Sequence, residues 1–127
     1  YLNVTAGSVC LGCPSNSLSM AGSDEISDCI CNVGFEGSDG AACSACLAGY
    51  YKGINGSSLC AACAAGTYLD VSGGSVCEEC GSWSTSLLAS DASSDCLCNA
   101  GFTGANGGPC TACYAGSYKL VNGSSAC

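Results

Sequence analysis

The chain has 127 residues, 15 of them cysteine and 19 glycine, and too few large apolar side chains to build one core by burial alone. Ten acids against two lysines give a net charge of −8, so nothing here neutralises phosphate, and nucleic acid and anionic membrane surfaces are excluded as partners. Charged residues make up 9%, against about 25% in average domains, so Ser, Asn, Gly, glycans or burial in an assembly must keep the surface soluble.

Cysteine at this density marks a disulfide scaffold and an oxidising compartment, so the chain is expected to be extracellular or on a cell surface. No apolar run is long enough to span a bilayer, and no direct membrane insertion is expected. No signal peptide is present either, so Tyr1 is expected to begin a mature piece or an excerpt.

Sliding the chain by 67 residues superimposes Cys10, Cys13, Cys29, Cys31, Cys43, Cys46 and Cys60 on Cys77, Cys80, Cys96, Cys98, Cys110, Cys113 and Cys127. Thirty-four of the 60 overlapping positions are identical, without a gap. Within this 67-residue super-repeat the units follow in order. Residues 1–12 end a truncated short unit; 13–45 form a long unit; 46–62 and 63–79 are short units of 17 residues; 80–112 form the second long unit; and 113–127 begin a further short unit. Short units open C-x-x-G-x-Y, with Tyr51, Tyr68 and Tyr118 in one slot and Gly49, Gly66 and Gly116 supplying a turn. Asn55-Gly56 and Asn122-Gly123 read as hairpin turns, so each short unit is predicted to be two short strands closed by one disulfide. Helix should be almost absent; the one place for a turn of it is Thr85 to Ser90.

The long unit ends C-x-C-N-x-G-F-x-G…C, at Cys31–Cys43 and Cys98–Cys110, which resembles the carboxyl-terminal half of an EGF-like module. The C-x-x-G-x-Y openings resemble ephrin-receptor-like and TNF-receptor-like cysteine-rich repeats. The resemblance implies a small disulfide-rich fold: tandem modules of short β-hairpins stacked into an elongated rod. The long unit lacks the first-pair cysteine spacing of a full EGF module and the acidic lead-in of the calcium-binding kind, so calcium is not expected.

Pairing each cysteine with its next neighbour gives Cys13–Cys29, Cys31–Cys43, Cys46–Cys60, Cys63–Cys77, Cys80–Cys96, Cys98–Cys110 and Cys113–Cys127. The resemblance to EGF supports the Cys31–Cys43 and Cys98–Cys110 bonds, while an interlaced pattern (Cys13–Cys31 with Cys29–Cys43) stays open. Cys10 is left over, expected to be unpaired because its partner position precedes Tyr1. The spacing Cys43-x2-Cys46-x13-Cys60-x2-Cys63 approaches a zinc ribbon, yet the pairs run on without grouping in fours, and no metal is expected.

Histidine is absent, which removes most base and nucleophile constellations, so no catalytic residue and no cofactor is expected. Asp24, Asp28, Asp91 and Asp95, in repeated S-D-x-x-S-D-C, read as turn caps rather than an acid–base pair, and Glu78-Glu79 as a solvated spot. The tyrosines with Phe35 and Phe102 read as covers for their own disulfides rather than a ligand-binding stripe. Three sequons, at Asn3, Asn55 and Asn122, predict N-glycans. The pattern points to a structural segment of an extracellular filament or surface appendage, its partners being neighbouring repeats or further copies of itself. The alternative is a spacer or stalk of a receptor or adhesin that meets a protein ligand.

Overall fold

A computed structural model describes residues 10–127 of the chain. It is a small disulfide-rich fold made of short antiparallel hairpins. Its strands are β1 (Ser17–Leu18), β2 (Ile30–Cys31), β3 (Phe35–Glu36), β4 (Ser44–Ala45), β5 (Tyr50–Tyr51), β6 (Ala61–Ala62), β7 (Thr67–Tyr68), β8 (Glu78–Glu79), β9 (Ser84–Thr85), β10 (Leu97–Cys98), β11 (Phe102–Thr103) and β12 (Thr111–Ala112). Each pairs with its sequence neighbour, β1 with β2 through β11 with β12, and no larger sheet forms among the described residues. In the short units the return strand is the pair of residues inside a C-x-x-C, as in Cys60-Ala61-Ala62-Cys63, where Tyr50 faces Ala62 and Tyr51 faces Ala61.

Disulfides join Cys13–Cys29, Cys31–Cys43, Cys46–Cys60, Cys63–Cys77, Cys80–Cys96, Cys98–Cys110 and Cys113–Cys127. Each closes a loop spanning 12 to 16 residues, the size for which restricting the unfolded chain contributes about 3 kcal/mol. Sulfur also fills the interior. The buried apolar side chains among the described residues are Cys29, Cys31, Cys43, Cys46, Cys63, Cys96 and Cys98, and beside them only Leu69.

Each long unit contains two hairpins, β1–β2 then β3–β4 in the first and β9–β10 then β11–β12 in the second. The hairpins share a turn that the sequence shows only in part. The third residue after every opening cysteine has a positive φ: Asn16 (61°), Gly34 (79°), Gly49 (86°), Gly66 (86°), Trp83 (62°), Gly101 (84°) and Gly116 (88°). Glycine takes this conformation freely and asparagine tolerates it, whereas a tryptophan there is strained. The residue's carbonyl then accepts a backbone bond that closes the hairpin, such as Cys46 N–H to Gly34 O at 2.8 Å and Asn99 N–H to Trp83 O at 2.8 Å.

Two local expectations are corrected. The helical turn expected within Thr85–Ser90 lies instead at Ser93–Asp95, repeated at Ile26–Asp28, each a single 3-10 turn. Its cause is the aspartate at its end: Asp28 Oδ2 accepts from the N–H of Asp24 and Glu25, and Asp95 Oδ2 from Asp91 and Ala92, at 3.0–3.1 Å. Asp28 and Asp95 thus hold turns, while Asp24 and Asp91 contribute their backbone N–H. The Asn-Gly dipeptides do not form two-residue hairpin turns. Residues 52–60 separate β5 from β6, and Asn55-Gly56 spends its polar groups on the preceding unit.

Candidate functional site

Nothing in the described residues gathers chemistry-bearing side chains. No group of three or more His, Cys, Asp or Glu could hold a metal among them, and no helix is long and apolar enough to cross a membrane. The site that recurs is the junction between one hairpin and the next.

Its backbone part repeats at four places. The N–H of the turn glycine donates to a carbonyl of the next unit: Gly34 to Lys52 at 2.8 Å, Gly49 to Leu69 at 2.8 Å, Gly66 to Ser86 at 3.0 Å and Gly101 to Lys119 at 2.9 Å. The carbonyl of the opening cysteine accepts one bond back: Cys31 from Gly56 at 2.8 Å, Cys46 from Gly73 at 2.8 Å, Cys63 from Ala89 at 2.9 Å and Cys98 from Gly123 at 2.9 Å. These are backbone groups close to cystine, where an unpaired donor or acceptor would be costly.

Side chains add to this at the long-to-short junctions. Lys52 and Lys119 are the chain's only lysines and there is no arginine, yet both are buried, at 3% and 7% exposure. Lys52 Nζ donates to Phe35 O at 2.7 Å and to Gly56 O, and Lys119 Nζ donates to Phe102 O at 2.7 Å and to Gly123 O. The ammonium thus pins a turn of its own hairpin to a strand of the previous one. Burial pushes the pKa of Lys52 below its ordinary value, and the carboxylates of Glu36 and Asp39 partly oppose this. With both cations enclosed, every exposed formal charge on the described residues' side chains is negative.

The two sequon asparagines in the described region sit at the same junctions. Asn55 Oδ1 accepts from Val33 N–H and Asn122 Oδ1 from Ala100 N–H, both at 3.0 Å. Both residues are exposed, and the amide nitrogen to which a glycan would be joined takes no part in these bonds. The asparagine therefore recurs for a structural reason whether or not it is modified. Ser57 and Ser124, two residues on, are exposed and hold no side-chain bond shown for the folded chain. Asn3 lies outside the described residues.

Glu78 accepts the Tyr68 hydroxyl at 2.9 Å, and that bond raises the tyrosine's pKa; Glu79 is exposed without such a partner. Tyr51 and Phe35 are half-buried while Tyr118 is largely exposed, so the rings form no common stripe. Cys10 is exposed and unpaired.

Three participants escape a reading of the sequence. Trp83 stacks on Phe102, centroids 4.8 Å apart and planes 7° apart, a contact between two hairpins whose residues lie 19 apart in sequence. Glu36 Oε2 accepts from Cys60 N–H at 2.8 Å. The role of the lysines was signalled only by their fixed place after C-x-x-G-x-Y. Compared with family models and with curated proteins, the chain matches none.

Proposed function

We propose that this chain is a structural repeat segment of an extracellular, N-glycosylated filament or surface appendage, built from modules of the EGF-like and TNF-receptor-like kind. The observation that carries the reading is the recurrence of one junction at the 67-residue interval. Gly34/Gly101, Lys52/Lys119, Asn55/Asn122 and Gly56/Gly123 make the same bonds in both copies, which is how a stack of like units propagates. A surface that mixes small polar residues with exposed apolar side chains such as Leu47, Leu59, Leu87 and Leu88, and that shows no exposed cationic side chain among the described residues, suits lateral packing or a glycan coat. No catalytic role, cofactor or metal is assigned to it. Imaging the native particle tests the reading: a fibre with this repeat along its axis is expected, and a monodisperse particle bound to a soluble ligand would refute it.

A receptor or adhesin stalk is the second reading. The second long unit has a cavity of about 380 Å³ bounded by Glu79, Ser82, Ser84, Ser93 and Pro109, where a protein ligand's side chain would be held.

A further inference from the structure

We propose that the Lys52–Gly53 and Lys119–Leu120 peptide bonds are latent cleavage sites for a protease that reads a basic side chain, each held shut by the disulfide that encloses its lysine. The inference goes beyond the filament and stalk readings and depends on neither.

The sequence confines such a protease to these two bonds. Lys52 and Lys119 carry the only basic side chains, since the chain has neither arginine nor histidine. Proteases of this class place the basic side chain in an acid-lined pocket, take the substrate as an added extended strand, and hold the scissile carbonyl oxygen among hydrogen-bond donors. The substrate must therefore offer a free ammonium, a free carbonyl and a length of unpaired backbone.

The fold withholds each of these at Lys52. The side chain is 3% exposed, with Nζ donating to Phe35 O at 2.7 Å and to Gly56 O. The scissile carbonyl, that of Lys52 itself, accepts from Gly34 N–H at 2.8 Å. Lys52 N–H donates to Gly74 O at 3.3 Å, so the units before and after both grip the residue. Lys119 is 7% exposed and repeats the pattern: Nζ donates to Phe102 O at 2.7 Å and to Gly123 O, and its carbonyl accepts from Gly101 N–H at 2.9 Å. The chain beyond the first scissile bond is open, for Gly53, Ile54 and Asn55 are exposed, as are Ser57, Ser58 and Leu59. The bond thus lies at the surface, and what bars cleavage is the hold on one residue rather than depth.

That hold depends on a covalent link. Lys52 lies between β5 and β6 in the loop that Cys46–Cys60 closes, and Lys119 lies inside Cys113–Cys127. Residues 52–60 form no strand, and the bonds that fix them reach the preceding unit: Asn55 to Val33, Gly56 to Cys31, and Cys60 N–H to Glu36. Closing a loop of this length suppresses its opening by a factor on the order of a hundred. A dithiol reductant would convert Cys46–Cys60 to two thiols and itself become a cyclic disulfide. Hydrolysis then adds water across the Lys52–Gly53 C–N bond, leaving a carboxylate on Lys52 and an amine on Gly53. Of the seven disulfides only Cys46–Cys60 bridges that bond, so the same reduction lets the fragments part.

The test is digestion of the full chain with trypsin after glycosidase treatment, so that no glycan at Asn55 stands in for the bonds, with the products weighed by mass spectrometry. The oxidised chain should resist. The Cys46→Ser/Cys60→Ser variant should be cut after Lys52 about a hundredfold faster, with Lys119 still protected. The reciprocal Cys113→Ser/Cys127→Ser variant should be cut after Lys119 alone, which separates a local latch from a chain that has unfolded throughout. Cutting of the oxidised chain at Lys52 within about tenfold of the variant's rate would overturn the proposal. So would a variant that resists at both lysines, or one cut equally at both. The filament reading falls separately, on the shape of the native particle.

Discussion

The two long units are close copies in sequence, but they hold themselves together differently. In the first, Cys43 N–H donates to Ser15 O at 3.2 Å, tying the β3–β4 hairpin to the start of the β1–β2 hairpin. In the second, Gly108-Pro109 stands where the first has Ala41-Ala42, no such bond forms from Cys110, and the stacked Trp83–Phe102 rings join the hairpins instead. The following junction differs too: Glu36 accepts from Cys60 N–H in one copy, while Thr103 donates to Ser125 O at 3.1 Å in the other. Lys, Asn and the turn glycine are unchanged. The backbone pattern is therefore the constant of the repeat, and side chains outside it are exchangeable provided some contact spans the hairpins.

The sharpest break of this comparison is at the turn glycines. Gly34→Ala and Gly66→Ala both force an alanine to a positive φ, which costs about 1–2 kcal/mol. Only at Gly34 would the new methyl also lie 2.1 Å from a backbone atom, Gly73 O, and a forced backbone shift adds about 1–3 kcal/mol. Gly34→Ala should thus be much the more damaging, seen as faster hydrogen exchange at Gly73 and Cys46 and an earlier guanidinium midpoint with disulfides intact. Equal costs would show that the junction does not press on Gly34.

The lysines come next. Lys52→Met leaves the Phe35 and Gly56 carbonyls without their charged donor, a bond type contributing about 1.5–3 kcal/mol, partly offset by relief of the buried charge. A net loss of about 1–2 kcal/mol at neutral pH is expected. If Lys52→Met is neutral, the carbonyl bonds do no more than balance desolvation. The wild type carries a pH signature as well. Its Lys52 pKa is lowered in the fold, so between that value and 10.5 the unfolded chain binds more protons, and stability rises with pH through this window. Lys52→Met should erase that rise in chemical unfolding curves taken across the alkaline range.

Much of this was legible in the sequence, and the limits have physical causes. The unit lengths and the short hairpins follow from cysteine spacing, since a C-x-x-C leaves only two residues for a return strand. The splitting of each long unit into two hairpins was masked because Asn16 and Trp83 stand where the other units carry glycine. Only the dihedral angle unites them. Burial of the lysines could not be read from composition, because what receives each ammonium is a pair of backbone carbonyls, Phe35 O with Gly56 O and Phe102 O with Gly123 O, that only the folded junction brings together. The sequon repeat was legible, yet its cause is double: one asparagine both bonds Val33 and presents an amide nitrogen.

That double role can be separated. Asn55→Asp keeps an oxygen for Val33 N–H and loses the glycan; Asn55→Ala loses both and should cost about 1 kcal/mol more. Ser57→Ala should remove the glycan and leave stability within about 0.5 kcal/mol, since the serine is exposed. Glycosidase release in heavy-oxygen water should leave labelled aspartate at 55 and 122 in native material; no label at either would refute glycosylation there.

At Trp83 two terms oppose. Stacking on Phe102 contributes about 0.5–1.5 kcal/mol beyond burial, and a bulky side chain at φ 62° costs about 1–2 kcal/mol. Trp83→Asn installs the residue of the first copy, which tolerates this φ, so strain is relieved as the stack is lost and the net change should stay within about 1 kcal/mol. Trp83→Leu loses the stack and keeps the strain, and should be the less stable of the two in guanidinium unfolding. If Trp83→Asn proves as damaging as Trp83→Leu, the stack is what holds the second long unit together, and its hairpins have no counterpart to the Cys43–Ser15 bond. If it is harmless, the backbone pattern alone suffices, and the second copy differs from the first in decoration rather than in construction.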